Sequence, residues 1–85
     1  MKTKNLNGYY NVIGQNIRKY REHKGISQRQ LANKLNLKGI NLYHSDISRI
    51  EANDLFIRDY ELIGICKVLG ITYEQIFEDT EKYFD

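Results

Sequence analysis

A chain of 85 residues, 41% hydrophobic and 28% charged with no Pro or Trp, carries enough apolar material for one small core and too little for two. Its longest apolar run, Leu62 to Cys66 broken by Gly64, is far shorter than the roughly 20 residues of a membrane span; residues 1–10 lack a signal core and the lone Cys66 excludes an internal disulfide or CxxC motif, so a soluble, cytoplasmic protein is expected. Net charge is only +2, but residues 1–50 hold ten Lys and Arg against Glu22 and Asp46 while residues 51–85 hold three against nine acids, so the first half suits a polyanionic partner unless its charges are simply solvated helix faces.

Ile13, Ile17 and Tyr20 recur at helical spacing between Asn11, a candidate cap, and Gly25, a candidate stop, which predicts a first helix over about 12–24. Ser27 with Gln30 forms a capping box, and Ile26 with Leu31 forms the matching hydrophobic staple. A second helix therefore starts at 27 or 28, turns Leu31, Ala32 and Leu35 inward, and ends near 35 or 36. Ser45 is the expected cap of a third helix, with Ile47 and Ile50 buried, Asp46 in the positively polarised first turn, and Asn53 closing the end in a left-handed conformation.

Asp59 opens a fourth helix whose Leu62, Ile65, Cys66 and Leu69 form an apolar stripe ended by Gly70. On that stripe Cys66 reads as a small core residue. Ile71, Thr72, Gln75 and Ile76 repeat the staple and capping box. A fifth helix begins there, continues through Phe77 and fades into the acidic tail. No window alternates as a strand does, so the fold class is all-α, with five short helices in one domain.

Three stretches, IGQNIRKYREHKGISQRQLANKL, SDISRIE and LIGICKVLGITYEQIF, in this order resemble the phage-repressor and Cro type of helix-turn-helix DNA-binding domain, also called the xenobiotic-response-element family. The resemblance spans roughly residues 13–78. It implies a repressor-like five-helix domain over 11–79, preceded by an N-terminal arm (1–10) and followed by an acidic tail (80–85). It also implies that the third helix enters the major groove while the second crosses the backbone. On this basis Gln28 and Arg29 stand at the DNA end of the second helix, His44, Ser45 and Arg49 match base-reading positions, and Asp46 and Ser48 share their outward face. Arg49 could fork onto a guanine, or pair instead with Asp46 one turn back. Gln28 could be a solvated first-turn residue and His44 a loop residue. Arg21 and Glu51 match positions that form an ion pair tying the first helix to the end of the third.

The sequence departs from the family pattern twice. Ala52 and Asn53 stand where Asn-Gly is common, and the segment 37–43, LKGINLY, lengthens the turn between the second and third helices by about five residues. Leu37, Ile40 and Leu42 are too apolar for a wholly exposed connector, so at least one is expected to be a buried plug, with Gly39 turning the chain and Lys38 and Tyr43 reaching phosphates; the alternative is a tolerated surface insertion, since lengthening a loop costs little.

The function implied is a sequence-specific double-stranded DNA-binding transcriptional regulator, acting as a repressor by operator occupancy, as a homodimer joined through Tyr73, Ile76, Phe77, Tyr83 and Phe84. The alternative is a protein-interaction module, an antitoxin or adaptor, with a protein partner at the C-terminal region. No nucleophile–base arrangement, Gly-rich phosphate loop or metal-ligand spacing is present, so no enzyme, metal or cofactor is expected.

Overall fold

Local hydrogen bonds set most of the helix boundaries. The computed structural model describes residues 4–84, which form α1 (Gly14–Lys24), α2 (Gln28–Asn36), α3 (His44–Glu51), α4 (Asp59–Leu69) and α5 (Tyr73–Ile76), then a 3-10 turn over Glu81–Phe84. Ser27 and Thr72 each accept the backbone N–H of the Gln three residues on at 3.0 Å, and each Gln returns a bond to the cap's own N–H. Two orphan donors are satisfied at each start. Gly25 and Gly70 end α1 and α4 with φ of 74° and 67°, a conformation that glycine, having no Cβ, adopts most readily.

Two starts differ from the expected ones. α1 begins at Gly14 rather than 12, because Asn11 acts from outside the helix: its Oδ1 accepts from the N–H groups of Ile13 and Gly14 at 3.0 and 2.8 Å. α3 begins at His44, so Ser45 lies inside the first turn and is not the cap. The Asp46 carboxylate takes the Tyr43 N–H at 2.8 Å, which fixes the start one step earlier. α5 stops at Ile76 and does not run into the tail. Asn16 on α1 donates to the carbonyls of Ile76 and Glu78, both at 2.8 Å, and Asp79 turns the chain with φ 57°.

The core gathers Ile17, Leu31, Leu35, Ile47, Ile50, Ile65 and Ile76, all fully buried, with Cys66 among them. Burying each large aliphatic side chain contributes about 1.5–3 kcal/mol. Two glycines let helices approach more closely than any side chain would allow. A Cβ on Gly14 would stand 2.1 Å from the Ile50 carbonyl oxygen, so α1 presses directly on the end of α3. A Cβ on Gly64 would stand 2.2 Å from Cδ1 of Ile40, so α4 carries a notch that receives the long loop.

That loop is therefore a packed element. Ile40 and Leu42 are buried while Leu37 is 89% exposed, and Gly39 makes the turn with φ 83°. The Asn36 side chain donates to the carbonyls of Ala32 and Leu42 at 2.7 and 2.9 Å, joining the end of α2 to the far end of the loop. Residues 6–10 lie against the turn after α3 and the C-terminal 3-10 turn. Tyr10 N–H donates to the Asn53 carbonyl, Asn7 donates to the Tyr83 carbonyl, and the Tyr9 and Tyr83 rings meet edge to face with centroids 4.7 Å apart. Tyr83 is buried beneath these contacts and Ile76 lies in the core, so neither is available to a second copy, contrary to the dimer contact expected of them.

Candidate nucleic-acid interface

α3 turns Ile47, Ile50 and Glu51 inward and leaves His44, Ser45, Ser48 and Arg49 exposed, with Asp46 at the edge. The 3.6-residue period produces this division: 47, 50 and 51 fall on one side, 44, 45, 48 and 49 on the other. Tyr43, just before the helix, is 69% exposed. The face is polar, contiguous and free of intramolecular cover apart from the partners of Asp46 and Arg49.

Its C-terminal end is held from three directions. Arg21 on α1 meets Glu51 through two parallel bonds, Nε to Oε2 at 2.7 Å and Nη2 to Oε1 at 3.0 Å, and both side chains are almost wholly buried. A planar guanidinium matches a carboxylate in this way, whereas a lysine would not. Its Nη1 also donates to the Ile26 carbonyl at 2.8 Å. The hydrogen bonds that Arg21 donates to Glu51 push its pKa upward despite desolvation, which keeps the guanidinium charged. Gln28 at the start of α2 adds a bond from Nε2 to Glu51 Oε1 at 3.1 Å.

The second hold is an asparagine pair. Asn11 Nδ2 donates to the carbonyls of Ile50 and Leu55 at 3.0 and 2.9 Å, taking an orphan carbonyl at the end of α3. Asn53, buried with φ 61°, donates back to the carbonyl and side chain of Asn11. It takes the left-handed conformation in which the family often has glycine, and its side chain is spent internally. The third hold is the contact of Gly14 with Ile50.

The expected site residues divide accordingly. His44, Ser45, Ser48 and Arg49 share one exposed face, with Tyr43 at its edge. Arg49 does not pair with Asp46, whose carboxylate caps Tyr43. Its Nη2 donates to the Asp54 carbonyl at 3.2 Å, and its Nε lies 3.7 Å from the Asp54 carboxylate. Gln28 has one amide N–H committed to Glu51, leaving its oxygen and second N–H for another partner. Arg29 is exposed and makes no ion pair or side-chain hydrogen bond among the described residues. Lys38 lies apart from this group, in a groove with Lys24, Lys34 and Lys67 that no α3 residue lines.

Asp54 and the reach of Asn11 across to α3 are not readable from spacing. Both join residues through a turn or across more than thirty positions, and no local periodicity marks them. Among the described residues no group of His, Cys, Asp and Glu could hold a metal ion, and no helix is long and apolar enough to cross a membrane.

Residues 16–82 match the family model described as the Cro/C1-type HTH DNA-binding domain. Among solved structures, the clp gene regulator ClgR from C. glutamicum superposes with a TM-score of 0.74 at 18% identity, covering 99% of this chain and 97% of that one. No curated protein matches the chain.

Proposed function

The chain belongs to the Cro/C1-type helix-turn-helix DNA-binding domain family, and from that premise we propose that it is a sequence-specific regulator of transcription that represses by occupying an operator. The observation that carries the reading is the exposed polar face of α3, held at its far end by the Arg21–Glu51 pair and the Asn11–Asn53 clamp. A rigid helix with free side chains is what readout of base edges requires. Likeness to a protein described as a gene regulator agrees with it.

In this reading Ser45, Ser48, His44 and Arg49 meet bases, while Arg29, Tyr43 and the free half of the Gln28 amide meet phosphates. Asp46 orients the helix start. Two copies would be needed to read half-sites about 34–36 Å apart. Tyr73, Phe77 and Phe84, each close to half exposed or more, are the apolar side chains of the C-terminal region left for that contact.

The test is an anisotropy titration against DNA fragments selected from a random pool. Enrichment of a two-fold symmetric sequence, with log K falling against log salt by about 0.9 per phosphate contacted, is the expected result. Binding to no duplex would refute the proposal.

A further inference from the structure

Twelve Lys and Arg residues are described, and six of them pair or hydrogen-bond through their side chains: Arg18, Lys19, Arg21, Arg49, Arg58 and Lys82. Of the six without such a partner among the described residues, four lie together. Lys24, Lys34, Lys38 and Lys67, from α1, α2, the long loop and α4, line one open groove of about 400 Å³, with the exposed Leu37 and the edge of Val68 as its apolar part. No acid lines it, although the chain has eleven.

Helix dipoles do not account for the whole cluster. Lys24, Lys34 and Lys67 sit in the last turns of α1, α2 and α4, where a cation is favourable. Three helix ends supply roughly half a negative charge each, so together they offset only about one and a half of four positive charges. The remainder is uncompensated. Leu37 is also unexplained by the fold: its loop neighbours Ile40 and Leu42 enter the core, yet it stands 89% exposed in the groove that the lysines line.

We propose that this groove docks an acidic segment of a partner protein, with one apolar side chain of that segment covering Leu37. Charge complementarity selects an acidic ligand, and Leu37 favours a peptide over a phosphate backbone, which has no apolar group to bury against it. None of the lining residues belongs to α3, so the partner can be held while α3 lies in a major groove. The inference is independent of which operator is read.

A fluorescein-labelled polyglutamate peptide with one central Phe, titrated against the full chain, tests it at about 0.15 M salt, where the Debye length is about 8 Å. Binding should weaken about tenfold in the double variant Lys34→Glu, Lys67→Glu and about threefold in Leu37→Ser, in line with a few exposed ion pairs and one small apolar contact. The same peptide with Gly for Phe should bind as Leu37→Ser does. Affinity for selected DNA should stay within about twofold of the parent's, and the double variant should remain folded, its melting temperature lower only by the several degrees that reversing two helix-end charges costs. Peptide binding indifferent to these variants overturns the proposal. So does a parallel loss of DNA affinity, which would make the groove a phosphate contact, and so does self-association abolished by the lysine reversals, which would make the occupant a second copy.

Discussion

The two ends of α3 are built in opposite ways. At its C-terminal end Glu51, Asn53 and the Ile50 carbonyl are buried and bonded to Arg21, Gln28 and Asn11, with Gly14 pressed against the backbone. At its N-terminal end His44, Ser45 and Ser48 are exposed and, among the described residues, no side-chain bond holds them; the Asp46 carboxylate fixes the start. One end sets an angle and the other is left free to touch something. The contrast teaches that polar residues on a single short helix serve rigidity where they are buried and stay available to a partner where they are not.

The sharpest way to break this contrast is to open the buried end. Arg21→Ala would leave Glu51 charged, buried and short of its main partner, which costs about 3–5 kcal/mol and should lower the urea midpoint steeply. A loss under about 0.5 kcal/mol, as at ordinary surface positions, would mean that the pair does not hold the helix. Gly14→Ala comes next: its methyl would meet the Ile50 carbonyl, which is backbone and cannot swing aside, so a cost of about 1–3 kcal/mol is expected in thermal melts. Ser48→Ala, on the free face, should change stability by less than about 0.5 kcal/mol. Equal losses at 14 and 48 would erase the distinction between the ends.

Smaller effects refine it. Asp54 holds Arg49 in the free protein; Asp54→Asn keeps the carbonyl bond, removes a negative charge beside the proposed DNA-reading face, and should strengthen binding to duplexes of any sequence by about two- to fivefold. Weaker binding would instead show that Asp54 aims Arg49 at its target. The smallest effect belongs to Glu78, whose carboxyl is held below the usual carboxylate range by hydrogen bonds from Lys19 and then Tyr20. A depressed folded pKa contributes stability above the unfolded value that is lost as pH falls through the folded one. Both members of the Lys19–Glu78 pair are partly exposed, so solvent screens the contact and the contribution is slight. The parent should lose stability in acid slightly faster than Glu78→Gln, and identical acid melts would show the contact to be inert.

How legible each part is in the sequence follows from the range of its interactions. The capping boxes at Ser27–Gln30 and Thr72–Gln75 are local, and both helices start where the pattern places them. The start of α3 offers two competing caps within two residues, Ser45 for the helix after it and Asp46 for the N–H of Tyr43. The carboxylate, a stronger acceptor sitting one turn inside, prevails. That the long loop must bury something is legible from its composition. That Ile40 is one of the residues that enter follows from the notch at Gly64, which a spacing rule does not connect to residue 40. Arg49 is drawn to Asp54 by a turn that brings it back beside the helix, so the pairing with Asp46 suggested by helical spacing is absent.

The most direct test of the free end places negative charge on it. Ser45→Glu with Ser48→Glu puts two carboxylates on the exposed face of α3, at positions where no packing is disturbed. With affinity for selected duplex DNA measured by anisotropy and folding checked by urea melts, stability should be unchanged while affinity falls at least about a hundredfold, since like charges brought together at an interface cost several kcal/mol. Unaltered DNA affinity in the folded variant would contradict the account, because α3 would then not be the element that meets DNA.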